Sequence, residues 1–276
     1  MKNYSNQYIF IFAGVMVIVV ALILSFTSLQ LKPRQERNER IEKMSNILAS
    51  VNITSTPSDV REKYDKYITN SYVVNYEGEV LEDKSAFEVD LKQELSMVQE
   101  INALQDRLEE RQISPFRKFL SSFINTEVKD TTEIKRKIKE TQSKRSLPVF
   151  EAEINGNDYY VFPLRGKGLW GPLWGYISLE SDFNTVYGAI FAHKAETPGL
   201  GAEIQEPFFQ EQFKDKEIFD AYGKFVSIAV EKGGTDLDDP HAVDAISGGT
   251  ITSQGLEAML IDFLGPYRGF INEKKN

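Results

Sequence analysis

The sequence predicts an α+β protein: a single N-terminal transmembrane helix, then a soluble domain with an antiparallel sheet and packed helices. Three observations carry this. An uncharged apolar run fills residues 8–31. Short strand-like stretches follow one another directly after Pro148, with hairpin-type turns between them. Helix-period apolar positions lie on both sides of those strands, so helices are added at the ends rather than inserted as crossovers.

Composition narrows the function before any motif is read. The chain has 276 residues and a net charge of −9, enough for an anchor and one compact domain. The acidic balance argues against nucleic acid as a partner and against a general affinity for anionic lipid. There are no cysteines, so the chain cannot hold an all-thiolate iron–sulfur cluster, a cysteine zinc site or a disulfide. Two histidines, His193 and His241, are too few for a histidine-rich metal site. No metal site is expected, and electron transfer here would need an organic cofactor.

Residues 1–7 read as an N-terminal tail and 8–31 as the membrane span. At 1.5 Å per residue that helix is about 36 Å long, enough to cross a hydrocarbon layer of roughly 30 Å with some tilt. A cleavable signal peptide is the other reading, but the run is long for one and no small-x-small site follows. Lys32, Arg34, Arg37, Arg40 and Lys43 follow the span, while Lys2 alone precedes it. A simple charge count would keep the domain in the cytoplasm.

Residues 32–82 are expected to form a stalk and the first part of the soluble domain. Glu36–Arg40 and Glu39–Lys43 are helical i,i+4 pairs, and Ile41, Met44 and Leu48 make a narrow apolar stripe. Thr56-Pro57-Ser58-Asp59 predicts a helix start with Pro57 in the first turn, continued by Val60, Tyr64, Tyr67 and Ile68. Residues 71–81 predict two short strands around Glu77-Gly78. Asn52-Ile53-Thr54 matches a glycosylation sequon by chance. Residues 83–147 are charge-rich and helix-favouring, with Leu95, Val98, Ile101, Leu104 and Leu108 on one face. They read as a helical lobe on the surface or as a docking arm for a partner.

Residues 148–276 form the β-rich domain. Residues 149–154 and 159–164 flank Asn155-Gly156-Asn157-Asp158, a hairpin signal. Residues 175–179 and 185–192 predict a second hairpin, and 225–230 another strand. Leu256, Met259, Leu260, Phe263 and Leu264 recur at helical spacing, and Gly265-Pro266 stops the pattern.

The helix is preceded by Asp244-Ala245-Ile246-Ser247-Gly248-Gly249-Thr250-Ile251-Thr252. Its glycines let a bulky group approach the backbone, and the helix N-terminus favours a phosphate. Thr250 offers a hydroxyl that could carry that phosphate covalently. The plainer reading is a helix cap, with Thr252 capping and the glycines turning.

Three other stretches attract notice. Gly166-Lys167-Gly168-Leu169-Trp170-Gly171 matches the dinucleotide fingerprint literally, but Pro172 follows at once and a strand, not a helix, comes next, so that reading is rejected. Trp170 and Trp174 there either anchor sheet packing or edge a planar ligand ring. His193-Lys194-Ala195-Glu196-Thr197-Pro198-Gly199-Leu200-Gly201 is a turn-rich loop after a strand. Lys232-Gly233-Gly234 places a lysine either at a solvated strand end or against a negatively charged group such as a phosphate.

Taken together, these stretches resemble the C subunit of the sodium-translocating NADH:quinone oxidoreductase, a family whose FMN is attached to threonine by a phosphoester. The similarity rests on the single span, Gly-Lys-Gly-Leu-Trp-Gly, Glu-Thr-Pro-Gly-Leu-Gly, Lys-Gly-Gly, the Asp-x-x-Ser-Gly-Gly-Thr turn and the tail Phe263-Leu264-Gly265-Pro266. It is weakest over 83–147. The resemblance implies that residues 148–276 are an FMN-binding domain and that Thr250 carries FMN covalently. A transferase using FAD and magnesium would place it there, with Asp244 as its recognition residue. The commoner motif has alanine in place of Gly249, which loosens the turn here. Glu196, Thr197, Leu200 and Gly201 would lie against the flavin ring and Lys232 near it. Ser247, Gly248, Gly249 and Thr252 would lie near the phosphate, and Trp170 at the ring edge. No residue of this chain is expected to be catalytic by itself.

The resemblance further implies an electron-carrying subunit in a multi-subunit complex of the bacterial inner membrane, its domain on the periplasmic side, against the simple charge count. Electrons from NADH, oxidised elsewhere, would pass through this FMN towards quinone while sodium is pumped outward. The span has no acidic residue, so this chain is not expected to conduct sodium. The other subunits, the flavin transferase and membrane lipid are the expected partners. Two alternatives stay open: the flavoprotein subunit of the related ferredoxin:NAD oxidoreductase, and a membrane-tethered non-redox binding module.

Overall fold

A computed structural model describes residues 5–113, 126–236 and 238–275. Residues 1–4 of the expected tail, with Lys2, and the middle of the 83–147 region lie outside the described residues. In chain order the elements are α1 (Asn6–Ser50), α2 (Val60–Tyr67), β1 (Ile68–Val74), α3 (Leu91–Ile113), α4 (Thr126–Ser143), β2 (Leu147–Ile154), β3 (Asn157–Lys167), β4 (Pro172–Leu179) and β5 (Val186–His193). They are followed by α5 (Pro207–Gln210), β6 (Ala229–Glu231), β7 (Ala242–Asp244), α6 (Thr250–Leu264) and α7 (Arg268–Lys275).

Span and stalk are one helix. α1 runs for 45 residues with Pro33 inside it, and Ser5 caps its start by accepting the Tyr8 N–H at 3.3 Å. Helix therefore begins inside the expected tail, at Asn6. Every residue from 6 to 40 is exposed, including the whole apolar run. A stretch this long and apolar is a candidate membrane span. Burial starts where the helix meets the domain: Met44, Ile47 and Leu48 are buried.

Five strands form an antiparallel meander in the order β1-β2-β3-β4-β5. The β2–β3 turn has Asn155 at φ 53° and Gly156 at φ 81°, both left-handed, as a two-residue primed turn demands. Strand residues alternate between two cores. Val149, Phe162, Leu164 and Ile177 face α6 together with Leu256, Met259 and Phe263. Phe150, Val161 and Tyr176 face the foot of α1 with Ile47 and Val51. Both faces are covered, which is why the strands read as nearly continuous apolar runs.

Several boundaries differ from expectation. Pro57 precedes α2, because Asp59 accepts the Thr56 N–H at 2.7 Å in a turn and the helix starts only at Val60. Ile68 is the first residue of β1. The second strand expected by residue 81 is reduced to a bridge between Val74 and Val80. The strand expected over 225–230 shrinks to β6, because Ser227 takes φ 63° and breaks the extended run. β6 pairs in parallel with β7, outside the main sheet. Asn52 is committed internally: its side-chain amide donates to the Tyr187 carbonyl at 3.2 Å.

The charged middle region packs as helices. Leu104 and Leu108 of α3 meet Ile134 and Ile138 of α4. α3 is tied to the core by Val98 and by a buried ion pair, Glu94 to Arg145 at 3.2 Å. Asn102 also donates to the Asp262 carboxylate on α6 at 3.1 Å.

Candidate functional site

α6 crosses the end of β3 at unusually close range. A Cβ at Gly255 would stand 2.2 Å from the Lys167 carbonyl, and one at Gly166 2.7 Å from Met259 Cβ. The glycines of the Gly-Lys-Gly stretch thus permit helix–strand contact, with no helix opening there. Lys167 pairs with Pro172 across the β3–β4 hairpin, and Gly168 N–H donates to the Gly171 carbonyl at 2.8 Å. Leu169 and Trp170 form the tip. Trp170 is 65% exposed and is not anchored in the sheet. Trp174 is, under the Arg165 guanidinium at 5.6 Å from its ring.

The tip, the loop after β5 and the start of α6 enclose a cleft of ≈ 200 Å³. Its lining includes Trp170, Glu196, Thr197, Leu200, Gly201 and residues 248–252. Gly248 has φ +73°, and a Cβ on it would lie 2.5 Å from Leu200 Cδ2. Gly249 is the N-cap of α6 at φ −102°, a conformation open to any residue, so the backbone does not require glycine there.

No side chain caps α6. The Thr252 cap is therefore a correction: Thr252 is buried, and its hydroxyl donates to Glu196 Oε2 at 2.6 Å. The other Glu196 oxygen, Oε1, accepts the Trp170 backbone N–H at 2.9 Å. Glu196 is only 4% exposed and ties the cleft's three walls together. Thr250, the first residue of α6, is half-buried at the cleft, where the free first-turn N–H groups and the positive helix end lie.

Three expected residues stand outside the cleft lining. Ser247 is exposed beside it. Lys232 is exposed one residue beyond the Glu231–Asp244 pairing of β6 and β7. Asp244 is engaged internally: Oδ1 accepts the Thr235 hydroxyl at 2.9 Å and its N–H donates to Gln212 Oε1 at 2.9 Å. Farther along α6, burial foremost and then the Glu231 charge hold the Glu257 carboxyl above its ordinary range.

Sequence reasoning missed four residues. Leu169 and Ile251 line the cleft and are 48% and 54% exposed, so with Trp170 and Leu200 they give it an apolar rim. An isoleucine on the outer side of an amphipathic helix was the available signal for Ile251. Buried Ser253 accepts the Ile246 N–H on its hydroxyl at 3.2 Å and holds the glycine turn. His193 receives the Glu196 N–H at 3.1 Å.

An apolar-rimmed cleft for a planar ring, opening at a helix N-terminus that suits a phosphate, fits FMN. On a sheet joined to one long apolar helix, it defines the class: a flavin-mononucleotide-binding domain with a candidate membrane span at its N-terminal side. Known proteins agree with this. The family model described as "FMN-binding domain" matches residues 168–265. The C subunit of the Na(+)-translocating NADH-quinone reductase of Haemophilus ducreyi is 27% identical over 87% of this chain and 82% of its own. That of Neisseria meningitidis is 26% identical over 96% and 95%. Among solved structures, the same C subunit from Parabacteroides distasonis has 38% identity and a TM-score of 0.64, covering 87% of this chain and 96% of that one. The Shewanella oneidensis protein NqrC has 26% identity and a TM-score of 0.61, covering 86% and 98%. The chain belongs to the family formed by the C subunits of the Na(+)-translocating NADH-quinone reductases.

Proposed function

We propose that this chain is the electron-carrying subunit of a sodium-pumping NADH:quinone reductase, with FMN joined by a phosphoester to the Thr250 hydroxyl. The observation that carries the reading is the position of Thr250. It brings a hydroxyl, an uncapped helix N-terminus and an apolar-rimmed cleft to a single point. Attachment transfers the FMN moiety of FAD to that oxygen: the Thr250 O–P bond forms, the FAD pyrophosphate bond breaks, and AMP leaves. A separate transferase with magnesium performs this step.

When bound, FMN supplies the reversible electron acceptor that a cysteine-free chain lacks among its own side chains. The residues here bind and orient it. The first turn of α6 would hold the phosphate and lower the cost of its charge. Leu169, Trp170, Leu200 and Ile251 would supply the apolar contacts to the ring. Lys232 and Ser247, outside the lining, would act on the cofactor only at longer range. Asp244 serves as the recognition residue for the transferase.

The donor and acceptor are other subunits of the complex, with iron–sulfur centres upstream and a membrane flavin and quinone downstream. α1 anchors the domain in the bilayer on the periplasmic side. The test is denaturation of the full chain made alongside its transferase. Yellow colour should stay with the polypeptide, and the peptide holding Thr250 should carry the added mass of FMN. A colourless polypeptide of unmodified mass would reject the reading.

A further inference from the structure

The geometry points to His193 as the positioning residue of the cleft, acting through Glu196; this rests on the FMN reading above. His193 is the last residue of β5, and Glu196 follows three residues later in the loop. The Glu196 backbone N–H donates to His193 Nδ1 at 3.1 Å, so a ring nitrogen takes the place that a carbonyl usually fills in a turn. To accept, Nδ1 must be unprotonated, which puts the hydrogen of the neutral ring on Nε2. Nε2 is buried without a hydrogen-bond partner among the described residues. Among the described residues, the hydrogen bond that places the ring is thus the one from Glu196.

That contact governs the carboxylate. Glu196 receives the Trp170 N–H and the Thr252 hydroxyl on its two oxygens. It fills space that two glycines leave open: a Cβ on Gly168 would stand 2.6 Å from Oε1, and one on Gly201 2.8 Å from Oε2. Buried and bonded at both oxygens, the carboxylate is placed by its own backbone, and the backbone N–H at 196 is held by His193. Releasing the imidazole contact would therefore loosen the Trp170 tip and the first turn of α6 together. His193 touches neither the cofactor nor the reacting atoms and acts entirely through Glu196.

The test compares His193→Asn with His193→Gln and His193→Ala in the full chain in detergent. Asparagine accepts backbone N–H groups a few residues onward and restores the acceptor at the Nδ1 place. Glutamine carries its acceptor farther out, near the Nε2 place, and alanine has none. Hydrogen exchange at the Glu196 amide, read in chains made without transferase, should accelerate about tenfold or more in the Gln and Ala variants, the expected result of losing a protecting hydrogen bond. The Asn variant should follow the parent chain. In chains made with transferase, the visible circular dichroism of the flavin should change in the Gln and Ala variants and persist in the Asn variant. Equal exchange in all four chains, or Asn behaving as Ala, overturns the role of His193. Absence of flavin from the parent chain instead overturns the FMN reading, and the exchange comparison still judges His193.

Discussion

Thr252 and Glu196, 56 residues apart in sequence, are joined by a buried hydroxyl-to-carboxylate hydrogen bond of 2.6 Å. It fastens the start of α6 to the loop after β5 and so closes one side of the cleft. A hydrogen bond to a charged acceptor contributes about 1.5–3 kcal/mol. Thr252→Val, which keeps the shape and removes the hydroxyl, should lower unfolding stability by about that amount. Urea denaturation of the full chain in detergent checks this, and the same variant should retain less flavin.

Thr250→Ala should abolish covalent flavin without unfolding the chain, because Thr250 is half-buried and does not cap α6 with its side chain. Thr250→Ser keeps a hydroxyl and should keep some modification. Mass spectrometry of the tryptic peptide reads the flavin, and far-ultraviolet circular dichroism reads the fold.

The two glycines before Thr250 should behave differently. Gly248→Ala forces a side chain into φ +73° and against Leu200 Cδ2 at 2.5 Å, which should cost about 1–3 kcal/mol. Gly249→Ala sits at φ −102°, and its Cβ would meet Ile246 Cγ2 at 3.0 Å, Ile246 Cβ at 3.1 Å and the Gly201 backbone nitrogen at 3.2 Å, contacts that a shift of the loop by a few tenths of an ångström relieves. It should cost less than about 1 kcal/mol and leave flavin attachment intact. Thermal unfolding of the two variants side by side decides between them.

Arg145→Ala should be among the most damaging single changes. Arg145 and Glu94 are 2% and 5% exposed at their side chains. Burial already raises the Glu94 carboxyl, while the Ser146 N–H and Arg145 oppose that rise. Removing the guanidinium strands a buried carboxylate, at a cost of about 3–5 kcal/mol. A denaturation midpoint unchanged from the parent chain would refute this.

Lys43 gives a pH signature. Burial first, and the Arg40 charge second, lower its ammonium from 10.5 to about 8, while Glu88 acts in the opposite direction. Between those values the unfolded chain binds more protons than the folded one, so this group makes stability rise with pH. Its penalty is complete below about 8 and gone above 10.5. Lys43→Met removes the penalty, so the stability difference between variant and parent should shrink as pH rises from 8 to 10. Buried tyrosines titrate in both chains and cancel in that difference. A pH-independent difference would count against it.

Much of the architecture was legible because its signals are local. The exposed apolar run of α1, the Asn155-Gly156 hairpin and the buried face of α6 each follow from periodicity or turn chemistry within a few residues. The cleft-lining segments were also readable as motifs, since glycine clusters mark close backbone approaches. What failed was mostly boundary and partner choice. Ser227 at φ 63° cut short a strand that its apolar neighbours predicted, and Asp59 moved a helix start past Pro57.

By itself, then, the sequence determined the main elements, the long apolar helix and the segments that meet around Thr250, because those depend on side-chain period and backbone preference along the chain. Only the tertiary structure decided that Thr252 bonds to Glu196 instead of capping its helix, that Trp170 lines a cleft while Trp174 packs, and that Lys232 stands outside it. A hydroxyl, an indole or an ammonium has several local options of nearly equal energy. Which one it takes depends on what a distant segment brings within hydrogen-bonding or van der Waals range.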